Sequence, residues 1–329
     1  MTNKQQILYK VLAGQPIHEI MRKAMPEDFE LITLESSDEG ELFSALERAD
    51  FVIAINFDAR MIDHAPKLKL IQLAGVGFDG IDIRRATEKG IPVAQTVEGT
   101  IIGVAEHTLL LMLAVYKRLI EADASVRRGE WLVWQLRPGS FTLANKTVGI
   151  FGLGKIGRAV AVRCRAFETQ VIYHDVTRLD AGTERALGIE FVERDELLRR
   201  ADIVTLHMPL LPETRSSFGA NEFQQMKNSA ILINTSRGGL IDEAALVRAL
   251  DAGEIAGAGL DVFEVEPIRN RNHPLFRMNN TVLTPHIATG TRDSVIEKTR
   301  AACDNFRRVL EGKRPLNVLN EEVFTLVVK

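Results

Sequence analysis

Residues 147–157, Thr-Val-Gly-Ile-Phe-Gly-Leu-Gly-Lys-Ile-Gly, carry the clearest fold signal in the chain. The first five residues are largely β-branched or apolar and predict a buried strand. Three glycines then follow with the spacing G-x-G-x-x-G, and apolar residues recur beyond them at helical intervals. A strand, a glycine turn and a helix in this order are typical of the first βα unit of a dinucleotide-binding sheet. The alternative is a tight strand-to-helix turn that holds no ligand.

Each glycine of this turn has a physical role, and the next strand adds a carboxylate. Gly152 permits the tight bend, Gly154 lets the backbone approach a pyrophosphate, and Gly157 lets the helix pack closely against the strand. The first amides of the helix and its dipole would hold the phosphates. Asp175, at the end of the next strand, can accept hydrogen bonds from ribose hydroxyls and would repel a 2′-phosphate, which favours NAD over NADP. Asp175 could instead be a plain turn residue, and Arg178 could accept that phosphate, although a solvated surface position fits Arg178 better.

Short apolar runs alternate with amphipathic helical patterns on both sides of the turn, which predicts parallel sheets covered by helices. Strands are predicted at 7–12, 31–34, 51–55, 70–73 and 92–95, and in a second series at 147–151, 170–174, 203–206, 230–233, 256–260 and 281–283. Residues 100 to about 128 predict one long helix, and residues 293–310 predict a last one. The predicted fold is α/β with two doubly wound parallel-sheet domains.

Composition and charge exclude several classes of function. The 41 basic and 44 acidic residues give a net charge of −3, so no basic field argues for a nucleic acid or an anionic membrane as partner. The longest apolar run is far shorter than the ~20 residues that a bilayer requires. Cys164 and Cys303 lie far apart in the sequence and predict buried, reduced thiols in a cytoplasmic protein. No His/Cys cluster has the spacing of metal ligands, so no metal is expected.

Polar side chains suited to acid–base chemistry follow the last three predicted strands. Arg237, Asp261 and His286 each lie at or just beyond one strand end, and Glu266 follows Asp261 closely. In open α/β sheets ligands bind beyond the carboxyl ends of the strands, so these groups can converge on one site. A lone Arg–Glu pair is usually a weak surface ion pair, and a lone histidine is usually structural. The functional interpretation therefore depends on all of these segments together.

Further motifs complete a resemblance that covers nearly the whole chain. They are Gly75-Val-Gly-Phe-Asp-Gly-Ile-Asp, Val104-Ala-Glu-His and Leu206-His-Met-Pro-Leu-Leu-Pro-Glu-Thr, which occur in order with the segments above. With these motifs the chain resembles the D-isomer-specific 2-hydroxyacid dehydrogenases, the family of D-lactate, D-3-phosphoglycerate, glyoxylate/hydroxypyruvate and phosphite dehydrogenases. The resemblance implies hydride transfer between a nicotinamide cofactor and a small 2-oxo or 2-hydroxy acid. It also implies a Rossmann cofactor domain at 99–290 and a flavodoxin-like substrate domain formed by 1–98 and 291–329.

The resemblance also implies roles for individual residues. Arg237 would grip the substrate carboxylate, His286 would be the acid in reduction and the base in oxidation, and Glu266 would orient the imidazole. The backbone at Gly75, Val76 and Gly77 would complete the substrate site. The implied cofactor-binding residues are Gly152, Gly154, Lys155, Ile156, Gly157, Asp175, His207, Pro209, Thr214, Thr235, Ser236 and Asp261. A core position is an equal alternative for His207, and His107 is interpreted as a helix-packing residue.

Departures from the family's usual motifs leave the substrate open. Gly80 stands where the family's substrate loop usually carries asparagine. Thr100 likewise stands where the segment before the long helix often carries asparagine. Val76 is apolar where a lysine would suggest phosphite, which favours glyoxylate, hydroxypyruvate or pyruvate as substrate. The alternatives are an NAD-sensing, protein-binding module of the corepressor type and a dehydrogenase of another anion such as phosphite or formate.

Two tryptophans after the predicted long helix bear on assembly. Trp131 and Trp134 resemble the family's dimer contact, and an arm with two tryptophans suits an interface, which predicts a homodimer. They could also line the cleft or pack within the chain.

Overall fold

The computed structural model describes residues 4–12 and 16–325. The chain folds as two compact units, one formed by Met1–Thr100 with Gly290–Lys329 and the other by Ile101–Thr289. Each unit is built around one parallel β-sheet that is buried on both faces. The predicted fold class, α/β with two doubly wound parallel sheets, is confirmed.

The amino-terminal part of the first unit alternates strands and helices. Its elements are β1 (Gln5–Leu12), α1 (Pro16–Ala24), β2 (Phe29–Leu34), α2 (Glu39–Leu46), β3 (Phe51–Ala54), α3 (Ala59–Asp63), β4 (Leu70–Leu73), α4 (Ile83–Glu88) and β5 (Val93–Ala94). The strands are all parallel in the order β2-β1-β3-β4-β5. Along β3, Phe51 and Ile53 enter the core on one face of the sheet, whereas Val52 and Ala54 enter the core on the other. This explains why the strands read as continuous apolar runs.

The second unit opens with helices and continues as a longer βα series. Its elements are α5 (Ile101–Tyr116), α6 (Leu119–Arg127), α7 (Val133–Leu136), β6 (Thr147–Phe151), α8 (Lys155–Ala166), β7 (Gln170–His174), α9 (Ala181–Leu187), β8 (Ile189–Phe191), α10 (Arg194–Arg200), β9 (Ile203–Leu206), α11 (Ala220–Gln225), β10 (Ile231–Asn234), α12 (Glu243–Asp251), β11 (Gly257–Leu260) and β12 (Thr281–Leu283). The strands are parallel in the order β12-β11-β10-β9-β6-β7-β8. The order reverses direction beside β6, the position where such sheets bind dinucleotides.

The chain then returns to the first unit. Helix α13 (Arg292–Leu310) packs against α1 and β4. Phe306 of this helix stacks on Phe51 of the sheet, with ring centroids 4.4 Å apart. Short 3₁₀ turns lie at Arg137–Gly139, Gly238–Leu240, Pro274–Arg277 and Glu321–Phe324. Among the described residues, no helix combines the length and apolar character that a membrane span requires.

The segment predicted as one long helix is two helices, so that prediction is wrong. α5 ends at Tyr116, and Arg118 takes a left-handed conformation with φ of 48° before α6 begins. The amide of Phe141 donates to the carbonyl oxygen of Tyr116 at 2.8 Å, which satisfies one of the open carbonyls at the helix end. A contact with a residue so distant in sequence stabilises the break, and neither glycine nor proline marks it at positions 117 and 118.

Candidate active site

The glycine turn between β6 and α8 is shaped by close backbone contacts. Gly152 has a φ of 85°, and a Cβ there would lie 2.7 Å from the carbonyl oxygen of His207. A Cβ on Gly157 would lie 2.2 Å from the carbonyl oxygen of Gly152. At Gly154, by contrast, a Cβ would meet no described atom within 4 Å, and no side chain caps the helix that follows. The turn is thus a cradle with uncapped amides at a helix start, which fits a dinucleotide diphosphate.

Asp175 ties the end of β7 to this cradle. The amide of Leu153, inside the glycine turn, donates to Oδ2 of Asp175 at 2.6 Å, and the amide of Thr177 donates to Oδ1 at 3.3 Å. The carboxylate therefore lies beside the glycine turn. Arg178 is exposed but paired, because its guanidinium binds Glu184.

His207 follows β9 and supports the turn from the neighbouring strand. Its amide donates to the carbonyl oxygen of Phe151 at 2.7 Å, and its Nε2 lies 2.9 Å from Oγ1 of Thr205. Burial lowers the pKa of His207 to about 3, so the ring is neutral at physiological pH. In the loop beyond, Thr214 donates to the carbonyl oxygen of Pro209 at 2.7 Å and stabilises that turn.

Asn234, at the end of β10, organises the loop that carries Arg237. Its Oδ1 accepts from the Ser236 amide at 3.0 Å, and its Nδ2 donates to the Arg237 carbonyl at 2.9 Å. Ser236 donates its hydroxyl to the carbonyl oxygen of Met208 at 2.6 Å. Thr235 pairs its hydroxyl with that of Thr108 of α5 at 2.9 Å. The loop is thus fixed from two sides.

Asp261 is a fully buried carboxylate at the end of β11, with 0% exposure. It accepts from the Thr284 hydroxyl at 2.6 Å and from the amides of Ile287 and Ala288 at 2.9 Å each. Nε2 of His107 lies 3.5 Å away and also contacts Thr284 at 2.9 Å. Burial opposes ionisation, but hydrogen bonds from these groups outweigh it and lower the pKa of Asp261. Asp261 therefore anchors the segment that follows β12.

That segment carries His286 in a left-handed conformation, with φ of 51°. Its amide donates to the carbonyl oxygen of Asp261 at 2.7 Å, and its Nδ1 lies 2.6 Å from Oε2 of Glu266. Burial opposes ionisation of Glu266, but hydrogen bonds from His286 and the Phe263 amide, together with the charge of Arg237, lower its pKa. Glu266 is therefore an acceptor, so Nδ1 carries the proton of this bond and Nε2 is left for another partner. The His286 side chain is 46% exposed.

In the first unit, the predicted substrate loop follows β4. The amide of Thr96 donates to the carbonyl oxygen of Gly75 at 3.0 Å, and the Gln95 side chain donates to that of Val76. These bonds position the backbone from 75 to 77. Gly80 stands where a Cβ would lie 2.8 Å from the carbonyl oxygen of Ile55, so the absence of a side chain there has a steric reason.

The second unit thus brings a glycine cradle and an Arg, Glu and His cluster to the carboxyl ends of one sheet. Sequence reasoning missed three residues that hold this cluster by hydrogen bonds: Asn234, Thr284 and His107, the last of which the sequence predicts only to pack. Among residues 4–12 and 16–325, no group of His, Cys, Asp and Glu could hold a metal ion.

Known proteins share both the sequence and the architecture. The profile of the NAD-binding domain of D-isomer-specific 2-hydroxyacid dehydrogenases matches residues 109–288. The chain is 39% identical over 312 residues to glyoxylate reductase of Aeropyrum pernix, covering 93% of this chain and 90% of that protein. It is 38% identical to D-3-phosphoglycerate dehydrogenase of Methanocaldococcus jannaschii, covering 95% of this chain and 60% of that protein.

A solved structure agrees with these matches. The crystal structure of a glyoxylate reductase from Paecilomyes thermophila superimposes with a TM-score of 0.81 at 30% identity, covering 97% of this chain and 99% of that one. With sequence, fold and cradle in agreement, the chain belongs to the D-isomer-specific 2-hydroxyacid dehydrogenase family and is a 2-oxo acid reductase, an oxidoreductase that acts on CH–OH donors with a nicotinamide cofactor.

Proposed function

We propose that the chain reduces a small 2-oxo acid of the glyoxylate, hydroxypyruvate or pyruvate type with NADH, with His286 as the proton donor. The observation that carries this proposal is the 2.6 Å bond between Nδ1 of His286 and Glu266. It leaves Nε2 as the nitrogen that can exchange a proton with substrate. The reaction converts a 2-oxo acid, NADH and a proton into a 2-hydroxy acid and NAD⁺.

The roles of the residues follow from their charge and position. Arg237 binds the substrate carboxylate through its guanidinium fork and polarises the 2-oxo oxygen. His286 gives its Nε2 proton to that oxygen as the C–O double bond is reduced, and takes it back in the reverse direction. Glu266 keeps the imidazole oriented through its bond to Nδ1. The reduced nicotinamide supplies the hydride, so the protein contributes position, charge and a proton.

The cofactor site is proposed to use the cradle and the strand ends around it. Amides of Gly154, Lys155 and Ile156 would bind the diphosphate, while Gly152 and Gly157 keep the turn tight. Asp175 would accept the ribose hydroxyls, which supports NAD over NADP. The nicotinamide side would be lined by residues of the neighbouring loops, namely His207, Pro209, Thr214, Thr235, Ser236 and Asp261.

We also assign a binding role to each domain and a size to the substrate. We assign cofactor binding to residues 99–290 and substrate binding to 1–98 and 291–329. The amides of Gly75, Val76 and Gly77 would add donors for the substrate carboxylate. The apolar Val76 supports a small uncharged substituent rather than a phosphate. Relatives named glyoxylate reductase support the same size of substrate.

A homodimer in the cytoplasm is part of the proposal. Trp131 and Trp134 are 78% and 70% exposed, unusual values for the largest apolar side chain, which supports an interface at this surface. Cys164 and Cys303 are buried free thiols, which suits a reducing compartment. Sedimentation of the protein and of a Trp131→Ser/Trp134→Ser variant tests the dimer. A monomeric wild type at micromolar concentration would contradict it.

The activity is tested by NADH and NADPH oxidation with glyoxylate, hydroxypyruvate, pyruvate and phenylpyruvate, and by NAD reduction with phosphite and formate. We expect turnover with NADH and the small 2-oxo acids. His286→Ala should lose at least 100-fold in kcat while it still binds NADH. Unchanged turnover in His286→Ala would remove it as the acid. Reduction of NAD by phosphite or formate alone would contradict the proposed substrate class.

A further inference from the structure

Arg178 lies three residues beyond Asp175, and its guanidinium is held by its neighbours. Its Nε and Nη2 donate to the two carboxylate oxygens of Glu184 at 2.9 and 3.0 Å, which makes a bidentate pair. The guanidinium also lies over Phe191, 5.2 Å from the ring centroid. Such a planar, two-point contact orients an arginine more strictly than a single ion pair does.

Of the two partners, Glu184 is buried whereas Arg178 is exposed. The residue exposure of Glu184 is 8%, and it accepts a third hydrogen bond, at 2.9 Å, from the hydroxyl of fully buried Tyr173. The Arg178 hydrogen bond lowers the pKa of Glu184, so the side chain is a carboxylate. If Arg178 turned away, this buried charge would lose its cation and keep only one hydroxyl partner. The Arg178 side chain is 60% exposed, so the cost of opening the pair comes from Glu184, which has little access to water to replace its cation.

The location of this pair gives it a consequence for the cofactor. Sheets of this kind distinguish the two nicotinamide cofactors at the end of the strand after the glycine turn, where an acidic residue binds the ribose and a nearby arginine accepts a 2′-phosphate. Here both kinds of residue are present, in Asp175 and Arg178. The arginine, however, is already neutralised by Glu184.

We propose that Glu184 is a specificity-determining positioning residue that keeps the enzyme selective for NAD by holding Arg178 away from a 2′-phosphate. This proposal rests on the cofactor site assigned above. Glu184 acts through Arg178 and does not itself contact the cofactor. Selectivity for NAD then has two sources, repulsion by Asp175 and the sequestration of Arg178.

The test compares the binding of 5′-ADP and 2′,5′-ADP by titration calorimetry, which requires no turnover. The readout is the ratio of the two dissociation constants in wild type, Glu184→Gln, Arg178→Met and the double variant. Glu184→Gln keeps an acceptor for Tyr173, so the fold is retained. We expect Glu184→Gln to shift the ratio at least tenfold towards 2′,5′-ADP, and Arg178→Met in the same chain to abolish that gain.

A second comparison does not depend on any change at Glu184. In an Asp175→Asn background, further replacement of Arg178 by Met should change the ratio less than twofold, because Arg178 is already held. A loss of fivefold or more would overturn the proposal, since Arg178 would then bind the phosphate despite Glu184. An unchanged ratio in Glu184→Gln, or a gain that persists without Arg178, would also overturn it. Failure of wild type to bind 5′-ADP would instead contradict the cofactor site itself.

Discussion

Replacement of Asp261 by asparagine should damage both the stability of the second unit and the position of His286. The carboxylate accepts three hydrogen bonds of 2.6–2.9 Å, from Thr284, Ile287 and Ala288, at a site with 0% exposure. The asparagine side chain can keep the two hydrogen bonds that Oδ1 accepts. Its NH₂ group, however, then faces the backbone N–H of Ala288, so two donors meet and that hydrogen bond is lost. The lost bond to a charged group accounts for about 1.5–3 kcal/mol, and the buried unpaired donor adds about 1–3 kcal/mol. Together these contributions predict a loss of about 2.5–6 kcal/mol.

The chain contains a matched control for this substitution. Asp180, at the start of α9, accepts the same set of donors, two backbone amides at 2.9 and 3.0 Å and one threonine hydroxyl at 2.6 Å. It is exposed, so water can satisfy any group that loses its partner. Asparagine is also as good an N-cap as aspartate. Asp180→Asn should therefore cost less than about 1 kcal/mol.

Urea denaturation followed by circular dichroism, at one protein concentration, measures both variants. Hydrogen exchange at the amides of Ile287 and Ala288 reports the local effect, and both should exchange faster in Asp261→Asn alone. Turnover should fall by at least tenfold, because the released segment carries His286. If Asp261→Asn and Asp180→Asn differ by less than 1 kcal/mol, the assigned role of the buried carboxylate is wrong.

Three further outcomes are expected. Gly238→Ala should destabilise the protein by about 2–4 kcal/mol, because its Cβ would lie 1.9 Å from the carbonyl carbon of Phe263. The matched variant Gly154→Ala, whose Cβ meets open space, should weaken cofactor binding without a change in the urea midpoint. Burial lowers the folded-state pKa of His207 from 6.5 to about 3, so the unfolded chain takes up a proton first and the free energy of unfolding falls as the pH drops through that range. His207→Gln should lack this pH dependence. A stability advantage of wild type over His207→Gln that does not shrink over that range contradicts the prediction. Glu266→Gln should lower kcat at least tenfold while titration calorimetry shows unchanged affinity for NADH, and a kcat near wild type would remove Glu266 as the orienting group.

The sheet is predictable from the sequence because its strands are buried on both faces. Residues such as 147–151 and 203–206 read as continuous apolar runs, and the structure has strands there. Strand β8 is missed because three residues, Ile-Glu-Phe, are too short for a periodic pattern. The break at Arg118 is missed because the hydrogen bond that stabilises it comes from Phe141, which no local pattern contains.

Part of the candidate site is likewise predictable from the sequence and part is not. Arg237, Glu266 and His286 can be identified because each follows a strand end, and strand ends are visible in the sequence. Of the groups that hold them, Asn234 and Thr284 are close in sequence to Arg237 and His286, whereas His107 lies far away in the chain. His107 reaches Thr284 across 177 positions, and its place on an apolar helix predicts only packing. Periodicity reports which face of an element is buried and not which polar atoms meet there.

The left-handed backbone of His286 shows why these supporting bonds matter for chemistry. A non-glycine residue in this conformation costs about 1–3 kcal/mol and persists only where its surroundings over-determine it. The Asp261 carbonyl binds the amide of His286, and the Asp261 carboxylate binds the next two amides. Each bond to the carboxylate contributes about 1.5–3 kcal/mol, so the two bonds together exceed the cost of the left-handed backbone. The sharp turn thus places the imidazole against Glu266, and the buried Asp261 fixes the position of the segment that carries the proposed proton donor.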